Sequence, residues 1–255
     1  MKVAVAGGTG VVGKHVVESL TAAGHQAVIM SRSTGVDLTT GSGLDAALRG
    51  SSAVVDVASV LTISSSVSSQ FFGASTRNLL DAEERAGVTH HVGLSIVGAA
   101  EINDRYYAGK RVQEDLVMAS GANWSILRAT QFHEFIHQVM PPGTLGPLQI
   151  VPTFVSQTVA ASEVGAVVAR LATEPPAGLT EDVAGPRVER MADLVHRYLR
   201  ATGSKRPVLE VPIPGAWGRS LRDGSLLPKG GAILGTQTFD EWLSELPRQA
   251  MPPTT

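Results

Sequence analysis

The sequence predicts an α/β protein in which a doubly wound parallel sheet is covered by helices on both faces. Short apolar runs alternate with segments of helical periodicity, which is the pattern of repeated β–α units. The chain has 255 residues, 43% of them hydrophobic, which suffices for one α/β domain with a modest appendage. A strand, a glycine-rich turn and a helix also follow one another at the N-terminus.

The elements expected in the first 130 residues are regularly spaced. Five apolar runs are predicted strands: Lys2–Ala6, Gln26–Met30, Ala53–Ala58, Thr89–Leu94 and Asn123–Arg128. Helices are expected from Lys14 onward, over Phe71–Ala86 and over Tyr106–Ser120, the last two being stopped by glycines. The serine-rich stretch Thr62–Ser69 is interpreted as a mobile loop.

The C-terminal hundred residues are less regular. One strand is expected at Val208–Val211, and helices at Ser162–Thr173, Glu189–Thr202 and Thr238–Leu246. Ser162 is the expected N-cap of the first of these helices. Thr238 and Glu241 have the spacing of a capping box.

The N-terminal turn has the spacing GxxGxxG between a strand and a helix, which indicates a dinucleotide-binding unit. Gly7 permits the tight turn, Gly10 lets the backbone approach a pyrophosphate, and Gly13 lets helix and strand pack closely. The N–H groups at the helix N-terminus would face the phosphates. A purely structural turn is the alternative. The expected cofactor-binding residues here are Gly7, Thr9, Gly10, Val11, Val12 and Gly13.

The end of the second strand indicates NADP(H) rather than NAD(H). An NAD-selective site carries an acid there for the ribose hydroxyls, whereas this chain has Ser31, Arg32 and Ser33. The Arg32 fork can pair with a 2′-phosphate, and the two hydroxyls can add hydrogen bonds. A solvated surface arginine is the alternative. Asp37 and Leu38 are expected to border the adenine.

Composition excludes several classes of function. The net charge is −2 and there is no basic run, which argues against a nucleic-acid partner. There is no cysteine, which excludes disulfides, thiolate metal sites and cysteine nucleophiles. Neither a leader pattern nor an apolar run of membrane-spanning length is present, so we expect a soluble cytoplasmic protein without a membrane partner.

Tyr106 and Lys110 are four residues apart and would share one face of a helix. A neighbouring ammonium can lower the pKa of a phenol, so that the pair can exchange a proton with a carbonyl oxygen. Ser95, after the fourth strand, could hydrogen-bond the same oxygen. The three are the candidate catalytic residues, and a chance match on a surface helix is the alternative.

Several motifs together resemble an atypical branch of the short-chain dehydrogenase/reductase superfamily, the branch with NmrA-like and quinone-reductase-like proteins. The matching segments are Ala6–Gly13, Ser31–Ser33, Leu94–Gly98, Tyr106–Lys110, Ser120–Arg128, Ala129–Phe132 and Thr238–Leu243. In extended members of the family the catalytic Ser or Thr lies much further before the Tyr than Ser95 does here. That departure concerns Ser95 more than Tyr106.

The resemblance implies a Rossmann-type fold that binds NADP(H). It also implies a cofactor domain over residues 1–150 and a small substrate-binding region over residues 151–255. Thr130, Gln131 and Phe132 would lie near the nicotinamide, Ala58 and Ser59 near the adenine-side ribose, and Lys110 at the nicotinamide ribose.

The string His133-Glu134-Phe135-Ile136-His137 matches H-E-x-x-H, a zinc pattern when it lies on a helix. A third ligand at suitable spacing is not evident, so no metal is expected. Phe132, His133 and Phe135 are interpreted as pocket-lining residues, with a plain core or surface histidine as the alternative. Trp217 is a further candidate for the pocket.

The main hypothesis is an NADP(H)-dependent oxidoreductase that moves hydride between nicotinamide and a small carbonyl, quinone or enone. The alternative is a non-catalytic NADP(H)-binding redox sensor of the NmrA type. A nucleotide-sugar epimerase or dehydratase is a third, weaker hypothesis, because the C-terminal region is short. The expected partner is a small-molecule substrate, with the chain a monomer or homodimer.

Overall fold

The computed structural model describes residues 1–246. The helices are, in chain order, α1 (Gly13–Ala22), α2 (Leu44–Leu48), α3 (Ser65–Ala86), α4 (Arg105–Ala119), α5 (Ile136–Gly143), α6 (Ala161–Leu171), α7 (Met191–Ala201), α8 (Gly215–Ser220) and α9 (Phe239–Glu245). The strands are β1 (Lys2–Ala6), β2 (Gln26–Met30), β3 (Ala53–Asp56), β4 (His90–Ile96), β5 (Trp124–Ala129), β6 (Thr144–Leu145), β7 (Leu148–Pro152), β8 (Val155–Ser156), β9 (Gly178–Leu179), β10 (Asp182–Ala184), β11 (Glu189–Arg190), β12 (Val208–Val211) and β13 (Ala232–Leu234).

The chain forms two compact units. The first comprises Met1–Ala129 and Ala161–Glu181, and the second comprises Thr130–Ala160 and the described chain from Asp182 onward. These boundaries differ from the division at residue 150. The assignment of cofactor binding to residues 1–150 and substrate binding to residues 151–255 stays a prediction.

The first unit is built on a parallel sheet with the strand order β2-β1-β3-β4-β5, and β9 lies beside β5. The central strand β1 is fully buried from Val3 to Ala6. A parallel strand covered on both faces needs a continuous apolar run rather than an alternating one, as the sequence of β1 has. The predicted α/β fold with a Rossmann-like parallel sheet is confirmed.

Helices cover both faces of this sheet. Right-handed crossovers from β1 to β2 and from β2 back to β3 run in opposite directions, so α1 and α2 lie on opposite faces. α1 packs on α6, and α3 packs along α4. Because the strand order reverses at β1, the carboxyl ends of β1 and β3 form the switch point where ligands of such sheets bind.

The face of the sheet that α3 and α4 cover carries polar side chains on β4 and on the strands beside it. The parallel register places Asp56, His91, Ser95 and Arg128 on this one face. His91 Nδ1 lies 2.9 Å from the Glu83 carboxylate of α3. Arg128 donates two hydrogen bonds, of 2.8 and 2.6 Å, to the Glu114 carboxylate of α4. Buried charges are therefore paired between the sheet and its covering helices.

Four small strand pairings lie in the described part of the second unit. β10 runs parallel to β13, β7 lies between antiparallel β6 and parallel β12, and β8 is antiparallel to β11. The predicted capping box is confirmed, because Thr238 Oγ1 accepts from Glu241 N and the Glu241 carboxylate accepts from Thr238 N at the start of α9.

Several expectations about element boundaries are wrong. α3 begins at Ser65, so most of the Thr62–Ser69 stretch is helix rather than mobile loop, and Ser64 Oγ accepts from Val67 N as its cap. Ser162 lies inside α6 and is not its N-cap. Glu189 and Arg190 pair with β8, so α7 starts at Met191. β3 ends at Asp56, whose carboxylate accepts from Ala58 N and turns the chain out of the sheet.

Candidate functional site

The glycine turn lies at the carboxyl end of β1. Gly7 has a φ of +79° and its N–H donates to Met30 O at 2.9 Å. A Cβ on Gly7 would lie 2.8 Å from Ala58 Cα, and one on Gly13 would lie 2.1 Å from Gly7 O. Both positions therefore require glycine, one for the turn and one for the approach of α1. The role of Gly10 at a pyrophosphate stays a prediction.

The N-terminus of α1 suits an anion. Its first turn contains no acidic residue, and Val12 at the N-cap supplies no side-chain acceptor. The backbone N–H groups at a helix start carry partial positive charge, which favours phosphate. The turn residues Thr9, Val11 and Val12 all lie in this segment between β1 and α1.

Arg32 lies in a single 3₁₀ turn, Arg32–Thr34, directly after β2. Ser31 caps this turn, and its Oγ lies 2.8 Å from Ser33 Oγ. The Arg32 side chain is exposed and forms no ion pair with any residue from 1 to 246. Its guanidinium can therefore bind an incoming phosphate without giving up a carboxylate partner.

Asp37 and Leu38 lie in the loop that follows. The Asp37 carboxylate accepts from Thr39 Oγ1 at 2.6 Å and from Thr39 N at 2.8 Å, and these bonds lower the pKa of Asp37. Leu38 packs against the buried core that includes Met30 and Leu44. Both residues thus have structural roles, and their contact with an adenine stays a prediction.

Tyr106 is in the first turn of α4, and its hydroxyl lies 3.1 Å from Ser59 Oγ. The ring meets Phe72 edge-on, with centroids 5.5 Å apart. Burial raises the pKa of Tyr106 to about 12, the Ser59 hydrogen bond opposes that rise, and the Asp56 charge adds to it. The expectation that Lys110 lowers this pKa is wrong for the structure.

The position of Lys110 explains that result. Its side chain is buried, and Nζ donates to Leu94 O at 2.7 Å and to Gln113 Oε1 at 2.8 Å. Nζ lies 4.4 Å above the Phe72 ring and 6.0 Å from the centre of the Tyr106 ring. Burial lowers the pKa of Lys110 to about 8, against the raising effect of the Asp56 and Glu114 charges.

Ser95 lies inside β4 rather than after it, because the strand continues to Ile96, and it is one residue after the carbonyl that binds Lys110. It is 5% exposed, and its Oγ has no hydrogen-bond partner within the described chain. An unpaired buried hydroxyl destabilises a fold and keeps its hydrogen-bonding capacity unused. Ser95 is thus able to bind a polar atom that the protein does not supply.

The sequence interpretation missed two residues at this site. Asp56 is 1% exposed, and its two carboxylate oxygens accept from Ala58 N at 3.1 Å and from Gln113 Nε2 at 2.7 Å. Gln113 lies one helical turn after Lys110 and is also buried. The available signal was an acid inside an otherwise apolar strand, since an unpaired buried carboxylate is too unfavourable to keep.

Thr130 and Phe132 belong to the second unit. Thr130 N donates to Val183 O at 2.9 Å, and its Oγ1 donates to Gln157 O at 2.5 Å. Phe132 is half-buried and pairs with Val159 in a parallel bridge. Their contact with a nicotinamide stays a prediction.

His133 is a core residue with both ring nitrogens engaged. Its Nδ1 lies 2.9 Å from Thr158 Oγ1 and its Nε2 lies 3.1 Å from Gln237 O. Its ring contacts Phe239 and Trp242. The 3₁₀ turn His133–Phe135 ends before α5 begins at Ile136, so the H-E-x-x-H string does not occupy one continuous α-helix.

Phe135 and Trp217 are the other pocket candidates in the second unit. Phe135 meets Phe154 edge-on at 6.5 Å, and Trp217 lies partly exposed on α8. Within residues 1–246, no group of three or more His, Asp or Glu side chains is arranged to hold a metal ion. Over the same residues, no helix combines the length and the apolar character that crossing a membrane requires.

Comparison with solved structures gives several matches over nearly the whole chain. The NADPH-dependent quinone oxidoreductase QOR2 of Escherichia coli, complexed with NADPH, is 20% identical with a TM-score of 0.69, over 95% of this chain and 98% of that one. The UDP-glucose 4-epimerase of Thermus thermophilus, complexed with NAD, is 19% identical with a TM-score of 0.71, over 96% and 98%. A short-chain dehydrogenase/reductase superfamily protein from Agrobacterium tumefaciens with bound NAD is 20% identical with a TM-score of 0.69, over 96% and 95%.

These likenesses concern the fold. No curated protein sequence matched the chain. The model of the NAD(P)H-binding family matches residues 7–175, which include the glycine turn, Arg32, Ser95, Tyr106 and Lys110. The match covers more than half of the 255 residues, and the chain therefore belongs to the NAD(P)H-binding family.

Proposed function

We propose that the protein is an NADP(H)-dependent oxidoreductase that reduces a small carbonyl, quinone or enone. One observation carries the proposal. The Tyr106 hydroxyl contacts Ser59, the residue after Ala58, whose backbone packs against Gly7 of the glycine turn. The proton donor Tyr106 is thus connected, through Ser59 and Ala58, to the glycine turn that suits a dinucleotide. This turn lies at the switch point of the sheet.

Arg32 supports a preference for the phosphorylated cofactor. The side chain is exposed after β2, and no acid is present in the Ser31–Ser33 segment to repel a 2′-phosphate. The glycine turn and the N-terminus of α1 would hold the pyrophosphate. When bound, NADPH supplies the hydride.

Tyr106 is proposed as the proton donor in the reducing direction. Because its pKa is about 12, the phenol is protonated at neutral pH and can give its proton to a substrate oxygen as carbon is reduced. Ser95 Oγ would donate a hydrogen bond to that oxygen. Lys110 would bind the nicotinamide ribose.

The loop beyond Ser59 supports an apolar substrate. Leu61 and Ile63 follow Ser59 by two and four residues and are 82% and 78% exposed. Exposed apolar side chains next to a candidate site favour ligands with apolar surface. The name of the QOR2 relative, a quinone oxidoreductase, points to the same class of substrate.

The test is NADPH oxidation against a panel of quinones, enones and simple ketones, with wild type and Tyr106→Phe side by side. Removal of the proton donor is expected to lower kcat by about 100-fold or more while the Kd for NADPH changes little. Tyr198→Phe is the matched control, because its hydroxyl faces His137 in the second unit.

Two results would contradict the proposal in different ways. Unchanged turnover in Tyr106→Phe would remove Tyr106 from the mechanism. Tight NADPH binding by wild type without turnover of any compound would favour the non-catalytic redox sensor.

A further inference from the structure

We propose that Asp56 and Gln113 are positioning residues, which together hold the Lys110 ammonium and the turn carrying Ser59 in place beside Tyr106. The inference rests on the proposed function, since it assigns a task to residues that serve Tyr106 and Lys110. Neither Asp56 nor Gln113 is expected to touch substrate, because both side chains are buried.

Asp56 ties two parts of the site to one carboxylate. Oδ1 accepts from Ala58 N at 3.1 Å, and this bond fixes the turn whose next residue, Ser59, contacts the Tyr106 hydroxyl. Oδ2 accepts from Gln113 Nε2 at 2.7 Å. A shift of the carboxylate would therefore displace both Ser59, which contacts the Tyr106 hydroxyl, and Gln113, which accepts from the Lys110 ammonium.

The Asp56 carboxylate also fixes which way the Gln113 amide faces. Because Nε2 must donate to Asp56, Oε1 is directed to Lys110 Nζ and accepts from it at 2.8 Å. A reversed amide would bring its N–H groups against the ammonium and its oxygen against the carboxylate, and both contacts would be repulsive. The Asp56 carboxylate therefore fixes the donor-to-acceptor direction of the hydrogen bonds that link Asp56, Gln113 and Lys110.

The charges around Lys110 make this arrangement necessary. Burial favours the neutral amine, and the acids that oppose this effect are Asp56 on β3 and Glu114 on α4. Glu114 is already paired with Arg128, and Glu83 with His91 on the same face of the sheet. Asp56 is paired with amide donors alone in these bonds, so its negative charge acts on the ammonium and also on His91.

The first experiment uses the wild-type chain and requires no turnover. The chain has five lysines, Lys2, Lys14, Lys110, Lys205 and Lys229, so the ¹³Cε signal of Lys110 is assignable by its loss in Lys110→Arg. Its pKa is about 8, and the Gln113 side-chain amide is expected to titrate with the same midpoint. A Gln113 amide signal that does not change as Lys110 titrates would overturn the proposal.

The second experiment compares Asp56→Asn and Gln113→Met with Asp45→Asn, whose carboxylate pairs with Arg85 at the surface. An asparagine can accept only one of the two bonds that Asp56 accepts. The midpoint for Lys110 is expected to fall by about 1 pH unit in both site variants and to stay constant in Asp45→Asn. An unchanged midpoint in a folded site variant would overturn the proposal. Gln113→Met removes no buried charge, so it supplies the answer if Asp56→Asn does not fold.

The kinetic arm separates this inference from the proposed function. If wild type turns over a quinone, the alkaline limit of kcat is expected to move to lower pH in Gln113→Met, with KM for NADPH nearly constant. If wild type turns over nothing, the proposed reaction fails while the NMR titrations still decide whether Asp56 and Gln113 hold Lys110. A merely structural role would lower stability without moving either titration.

Discussion

At the scale of single residues, the cofactor preference depends on one exposed cation. Arg32 has no carboxylate partner in the part of the chain that the structure describes, and the serines beside it contact each other. The sequence predicted a cation between two hydroxyls after the second strand, and the structure places Arg32 in an exposed turn directly after β2. The charge is therefore available to a ligand.

Arg32→Ala is expected to weaken NADPH binding by about 2 kcal/mol, or about 30-fold, because a charge-assisted hydrogen bond to the 2′-phosphate is lost. NADH, which has no such phosphate, should bind almost unchanged. Titrations of both cofactors measure the ratio, and Arg170→Ala, an exposed arginine of α6, is the control. Equal losses for NADPH and NADH would contradict the assignment of Arg32.

The positions of Tyr106 and Lys110 were only partly predictable from the sequence. The spacing of Tyr106 and Lys110 predicted their shared helix face, and both side chains do approach the Phe72 ring. The direction of the ammonium was not predictable, because it follows from Leu94 O, Gln113 and Asp56, which are close only in the folded sheet. Long-range partners of this kind leave no local pattern in a sequence.

At the scale of elements, α1 lies close to the turn that precedes it. Gly13 begins α1 against the carbonyl of Gly7, and Gly7 in turn lies against Ala58 after β3. Two of these three positions are glycines, and the third, Ala58, carries only a methyl group. The glycine spacing predicted two of them, and the third required the fold.

Gly13→Ala is expected to lower NADPH affinity by 100-fold or more and to destabilise the fold by roughly 1–3 kcal/mol, because its Cβ would lie 2.1 Å from a backbone oxygen that cannot move freely. Calorimetry with NADPH and thermal unfolding measure the two effects. Gly230→Ala is the control, since a Cβ there meets no atom within 4 Å. Wild-type affinity in Gly13→Ala would contradict the close packing of α1 on the turn.

The helix α3 shows why one element was misjudged. Its N-terminal serines were interpreted as a loop because serine is common in turns. Ser68 is fully buried instead, and a Cβ on Gly109 of α4 would lie 2.2 Å from its Oγ. Small residues let two helices approach closely, and a serine at such a contact serves packing rather than a turn. Composition alone does not separate the two uses.

At the scale of the whole molecule, the order of strands and helices in the first unit was predictable because each element carries its own periodicity. The second unit was less so, since several of its strands have only two or three residues. Segments that short hold no usable alternation, and their pairing is set by partners distant in the chain.

Global stability is expected to depend on pH through the buried pair of Glu83 and His91. Burial alone would lower the pKa of His91, but the Glu83 charge and hydrogen bond, together with the Asp56 charge, outweigh it and raise the pKa. A raised folded pKa stabilises the protein fully below the unfolded value of about 6.5, and this contribution is lost as pH rises through the folded pKa.

Glu83→Gln should therefore remove part of the decline in the free energy of unfolding above about pH 6.5, besides lowering stability at pH 6. Urea unfolding from pH 5 to pH 9 measures both, and Glu84→Gln, the exposed neighbour, is the control. Parallel pH profiles in wild type and Glu83→Gln would show that His91 is not charged in the folded state.

The unpaired hydroxyl of Ser95 is expected to lower thermal stability while it assists the reaction. A buried hydroxyl without a partner costs about 1–3 kcal/mol, so Ser95→Ala is expected to raise the melting temperature while slowing the reduction of a carbonyl. Differential scanning calorimetry and kcat on the same samples would show both effects, and a lower melting temperature would contradict it. A version of this protein selected only for heat resistance would be expected to discard the serine, and one selected for turnover to retain it.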